Sequence, residues 1–150
     1  MPAFITFGRV LFAVLFIVSG ALQLYDLTAT AKDIAEKIII PAALTDYKSQ
    51  IEALAGMPMP QILAITAGSV ELICGIMIAL NFGVRFFAIL LIFFVAGATF
   101  YYHDFWAQTG AEGRNSMVHA LKNLSIIGAL FMIAGYGRGA RMSEPAYGDV

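Results

Sequence analysis

Charge is scarce in this chain: 13% of its 150 residues are Asp, Glu, Lys or Arg, about half the share found in soluble domains. Nine Lys plus Arg cannot cover a water-exposed globule of this length, so something other than water must surround much of it. A net charge of −1 removes the electrostatic basis for binding nucleic acid. Cys74 is the sole cysteine, which excludes an intrachain disulfide and a thiolate metal cluster. The two histidines, His103 and His119, come without a C-x-x-C-H haem attachment motif. With Asp104 they make a weak metal candidate, because their spacing crosses a loop and matches no helical ligand motif. Nucleotide fingerprints, low-complexity tracts and internal repeats are also missing. What abounds is apolar: 60% of the residues, with a mean hydropathy of +0.81, far above what a disordered segment carries.

That apolar content falls into four runs, Phe4 to Tyr25, Gln61 to Leu80, Val84 to Tyr102 and Met117 to Tyr136. Each has about the length that crosses a ~30 Å hydrocarbon core at 1.5 Å per residue. Backbone polar groups in lipid must be satisfied within the segment, so each run is expected to be a helix. The expected fold is all-α, a single integral membrane four-helix bundle over residues 1–150. Ser19-Gly20-Ala21 resembles a signal-peptide cleavage site, but no basic stretch precedes the first run and Arg9 lies inside it. A retained span is the expectation.

An even number of spans puts both termini on one side. Arg85, Arg138 and Arg141 lie on that side in little exposed sequence, with Arg9 near the end of its helix. Lys32, Lys37, Lys48 and Arg114 are diluted over the longer connections Asp26 to Pro60 and His103 to Ser116. The density of basic residues therefore predicts cytoplasmic termini. Within the first long connection, Leu27 to Ile40 and Ala42 to Ala55 each mix apolar and charged residues. Short amphipathic helices at the interface and a solvated loop are both compatible with that pattern.

An ionisable side chain in a span costs a few kcal/mol and almost always faces the bundle interior. Glu71 lies near the middle of the second span, and Arg9 and Lys122 sit about one and a half turns inside the first and fourth. Arg9, Ala13, Phe16, Gly20 and Gln23 form one helical stripe, and Ala64, Gly68, Glu71 and Gly75 form another. Small residues on such stripes let helices approach closely, which turns Glu71 and Arg9 inward toward each other. His119, Lys122 and Asn123 share a face near the outer end of the fourth span, level with His103, Asp104 and Trp106. Two readings of this set are open. A polar cluster of His103, His119, Lys122 and Asn123, roofed by Tyr101, Tyr102, Phe105 and Trp106, would hydrogen-bond a quinone head or a similar amphiphile, with Glu71 as a proton group below. Alternatively the aromatics are an interfacial belt, Lys122 snorkels to the headgroups, and Glu71 and Arg9 are a structural ion pair.

Gly8-Arg9 and Ser19-Gly20 in the first span, Glu71-Leu72 before Gly75 in the second, Arg85 opening the third, His103 with Phe105-Trp106 closing it, and Leu121-Lys122-Asn123 in the fourth resemble the DoxX family over about residues 7 to 137. The resemblance implies a multi-pass protein of the bacterial inner membrane. Some members are small membrane subunits of a thiosulfate:quinone oxidoreductase, and others are scaffolds that join redox-defence enzymes at the membrane. The fold is also similar to eukaryotic proteins of cargo export and receptor assembly, so it does not decide function. Gln23 stands where the family often has a Lys, and Cys74-Gly75 where it often has paired glycines. The first departure weakens the case for a basic ligand site on that helix.

Three function classes follow. A redox-linked subunit would hold a quinone while a partner supplies the electron-transfer cofactor, since this chain has no motif for one. A non-catalytic assembly subunit or scaffold would bind other membrane proteins through its loops or lipid-facing helices. A small-molecule transporter fits poorly with four short spans that show no inverted repeat or broken helix. The sequence favours a small membrane subunit or scaffold of a redox or respiratory complex, whose partners are the lipid bilayer and other membrane proteins.

Overall fold

A computed structural model describes residues 2–136. Arg138 and Arg141, part of the charge count above, lie outside the described residues. Six α-helices follow one another: α1 Pro2–Tyr25, α2 Leu27–Lys37, α3 Thr45–Ala55, α4 Met59–Ala79, α5 Val84–Tyr102 and α6 Gly110–Tyr136. A 3-10 turn, Ala42–Leu44, precedes α3. The fold is all-α, and α1, α4, α5 and α6 are long and apolar enough to cross a membrane.

The local signals that end these helices are conventional. Asp26 caps α2 by accepting from the Ala29 amide at 3.1 Å, which holds one of the first-turn N–H groups that the helix itself leaves free. Gly56, at φ +68°, ends α3 in the left-handed conformation. Pro60 sits in the first turn of α4, where a missing N–H costs nothing. Asn81 and Gly83, both at positive φ, reverse the chain between α4 and α5.

The tightest packing is between α1 and α4. A Cβ on Gly20 would come within 2.6 Å of the Gly68 carbonyl oxygen and the Leu72 amide nitrogen. One on Gly75 would meet the Ile17 backbone at 3.0 Å. Both small-residue stripes are thus packed against each other, and Ala13, Phe16, Gly20, Ala64, Gly68, Glu71 and Gly75 are all buried. In a membrane such contact replaces the hydrophobic drive that water would supply.

Two apolar clusters result. Toward the α4–α5 turn, Ala13, Phe16, Cys74, Ile78, Ala88, Leu91 and Leu130 bring all four spans together. Toward the long connections, Ala31 and Ile34 of α2 pack on Ala64 of α4, with Tyr102 of α5 against them. Leu27 to Lys37 is therefore a helix laid against the bundle. α3 has no buried residue.

The fourth span departs from its expected start at Met117. α6 begins at Gly110, about two turns earlier, because side chains link the polar first turns to the preceding loop. Ser116 Oγ donates to Gln108 Oε1 at 2.6 Å, and Gln108 Nε2 donates to Asp104 Oδ1 at 2.5 Å. Hydropathy carries no trace of such links.

The glycine contact yields a direct test. Gly20→Ala should cost about 1–3 kcal/mol of unfolding free energy in detergent, since the new methyl meets backbone that cannot swing aside. Gly128→Ala, where nothing lies within 4 Å, is expected to change stability by less than about 0.5 kcal/mol.

Candidate functional site

Between the two apolar clusters lies an open-sided cavity of about 740 Å³ lined by α2, α4 and α5, with Gln23 of α1. Its volume falls in the range of small-molecule sites. Its floor is Glu71 and its upper rim is His103. Gln23, Thr30, Asp33 and Tyr102 add polar groups along the wall, and Val70, Phe94 and Gly97 add apolar surface. Phe93 also lines it while 72% exposed, so the mouth reaches the outer face of α5.

Glu71 is 8% exposed and is held from α1. Gln23 Nε2 donates to Glu71 Oε1 at 3.1 Å and lies 3.2 Å from Ser19 Oγ. The other carboxyl oxygen, Oε2, is buried and makes no hydrogen bond among the described residues, although the Ser19 side chain lies close to the carboxyl group. A buried polar atom left this way costs free energy comparable to a lost hydrogen bond.

Arg9 is not that partner. Gly20, not Arg9, faces Glu71, and Arg9 lies 11 residues further along α1, about 16 Å away at 1.5 Å per residue. The expected Arg9–Glu71 pairing is therefore corrected, with Gln23 of the same α1 stripe in Arg9's place.

At the rim, His103 and His119 stack with ring centroids 5.1 Å apart and planes inclined by 11°. One turn deeper, Asn123 Nδ2 donates to Thr99 Oγ1 at 2.9 Å. These contacts bring His103, His119 and Asn123 together across α5 and α6. Lys122 is exposed, at a depth from which a lysine can reach back to headgroups. Trp106 is 57% exposed and sits against Phe100 and Phe105, apart from the cavity lining.

Gln23, Ser19, Thr30 and Asp33 are polar groups of the site that charge alone does not single out. Gln23 and Ser19 had a usable signal, since they follow the buried face of α1. Thr30 and Asp33 had none until the segment carrying them was known to be a helix. Asp33 lies beside the Tyr102 hydroxyl, and Thr30 Oγ1 donates to the Gln23 carbonyl at 3.1 Å. That bond ties the roof of the cavity to the residue that holds Glu71.

Comparison with known proteins adds a family. The sequence model of DoxX matches residues 4–104. Inner membrane protein YphA of Escherichia coli (strain K12) is 38% identical over 95 residues, covering 63% of this chain and 68% of that protein. No solved structure matches. The matched segment holds Gln23, Glu71, Gly97 and His103, and it ends before His119 and Asn123.

Burial, the neighbouring His119 and Lys37 hold the His103 imidazole below the usual histidine range, with Asp104 opposing them. A histidine whose pKa is lowered by folding stabilises the fold above its unfolded pKa, near 6.5. That contribution is lost as pH falls through the lowered value. The unfolding temperature in detergent should therefore drop between about pH 7.5 and pH 5, and by less in His103→Asn. Equal slopes in the two proteins would contradict this placement of His103.

Proposed function

The chain belongs to the DoxX family, and on that premise we propose that it is a small inner-membrane subunit or scaffold of a redox-linked complex, binding a quinone-type amphiphile in the Glu71 cavity. The observation that carries this reading is the Glu71 carboxyl, buried within a span and lining a cavity large enough for a cyclic head group, with Oε2 left without a hydrogen bond among the described residues. An intramembrane carboxylate is by default a functional group. If bound there, a quinone carbonyl would find a donor in the protonated Glu71 carboxyl group, and a quinol hydroxyl an acceptor in the ionised one. Gln23 keeps the carboxyl oriented in either state, since its amide donates to Oε1. His103, Tyr102 and Asp33 form the wall between Glu71 and the aqueous side, and each carries an exchangeable proton or an acceptor. When bound, the quinone would supply the electron chemistry, and this chain would hold the head group and its proton.

A second reading, an assembly subunit without catalysis, is favoured by α6. Leu130 is its one buried residue, which leaves most of its surface open to other membrane proteins. The relative from Escherichia coli is named for the inner membrane. The same location fits this chain, with the termini on the cytoplasmic face by the density of Arg near the span ends.

Binding of a short-chain quinone to the protein in nanodiscs tests the site. Glu71→Gln should weaken it about tenfold, or roughly 1.4 kcal/mol. Gly97→Leu, which fills a cavity wall with nothing within 4 Å of its Cβ, should abolish it while leaving the helical content unchanged. Wild-type protein that binds no quinone leaves the assembly reading. The orientation has its own check: in a Cys74→Ala background, Lys37→Cys should react from outside intact cells with a maleimide that cannot cross the membrane.

A further inference from the structure

A second cavity, of about 490 Å³, lies at the opposite end of the bundle, between α1, the α4–α5 turn and α6. Ile5, Phe12, Met132 and Ile133 give it apolar walls, and Arg9, Asn81 and Tyr136 give it donors. Arg9 enters it about 10 Å along α1 from Pro2. Its Nε is buried and has no partner among the described residues.

A guanidinium inside a span, with one nitrogen buried and unpartnered, is normally paired with an anion or with carbonyl groups. The described residues do not provide an anion. Asp26, Asp33, Glu36, Asp46, Glu52, Asp104 and Glu112 all lie in or beside the long connections at the other end, and Glu71 is held by Gln23 about 16 Å away. An anion for Arg9 must come from elsewhere, and it must suit a site with a charged, hydrogen-bonding mouth and an apolar wall.

We propose that this cavity binds an anionic phospholipid, with the phosphate on Arg9 and an acyl chain along Phe12, Met132 and Ile133. The guanidinium presents several N–H donors in a plane that matches two phosphate oxygens. Asn81 and Tyr136, which also line the cavity, carry neutral donors. The bilayer offers this combination of anion and hydrocarbon at high local concentration. The site is independent of the Glu71 cavity and of what binds there.

Native mass spectrometry of the full chain tests this, after release from vesicles of phosphatidylcholine with an equal share of phosphatidylglycerol. Wild-type protein should retain phosphatidylglycerol over phosphatidylcholine by about tenfold. Arg9→Gln should remove the preference and Arg9→Lys should keep part of it. Ala129→Phe, which fills the cavity and leaves Arg9 in place, should also remove it, so the outcome does not rest on the folding of one variant. Equal retention of the two lipids by wild type, or a preference that survives both Arg9→Gln and Ala129→Phe, overturns the proposal. Loss of the bound lipid on adding inorganic phosphate would mark a site for the free anion and would overturn it as well. The remaining acids, Glu144 and Asp149, lie outside the described residues. A preference that emerges only in Glu144→Gln/Asp149→Asn would make them the native counter-charge and overturn the lipid as occupant.

Discussion

Everything else in this fold depends on how closely α1 and α4 approach. Gly20 against Gly68, and Gly75 against Ile17, bring two backbones to a separation that no larger side chain at those positions permits. In lipid, where burying an apolar side chain gains little over leaving it in hydrocarbon, such contact is the main source of helix association. It also sets the register of the pair. That register puts Gln23 opposite Glu71 and sends Arg9 past the end of the contact, toward the α4–α5 turn. One steric constraint thus assigns Glu71 and Arg9 to their separate cavities.

The close pair has an open counterpart. The four spans converge around Ile78, Leu91 and Leu130 near the turn, while at the other end α2 fills in over α4 and α5. The Glu71 cavity is the space left between these two centres. Its roof is a short helix with two buried residues, Ala31 and Ile34. Anchorage this slight belongs to elements that open locally before the bundle does.

Much of this was legible in the sequence, for physical reasons that differ by element. The third span matches its expected bounds because Gly83 and His103 lie immediately outside an uninterrupted apolar run. The buried stripes of α1 and α4 were legible because small residues recur with the helical period. The start of α6 was not, because its first turns are polar and held by side-chain links that depend on tertiary position. Glu71 was legible as a carboxylate among apolar residues, but its partner was not. Counted from the helix ends, Arg9 and Glu71 lie at similar depths, about 10 Å and 12 Å, which makes them look paired. A stripe gives the face of a helix and says nothing of how far one helix has slid along another. Asp33 and Thr30 were out of reach for a further reason, since a segment that reads equally well as loop has no face at all.

Phe93 marks where the larger cavity meets the outside, and it does so on the side of the bundle that faces hydrocarbon. A molecule using that mouth never has to leave the membrane. Its supply is then set by how strongly it partitions into the lipid phase, and its search is confined to two dimensions. The bilayer becomes a reservoir, and weak intrinsic binding suffices for high occupancy when the ligand is itself oily. Selection among such ligands would fall to the polar end of the chamber, because every lipophilic tail satisfies the rest of it equally well.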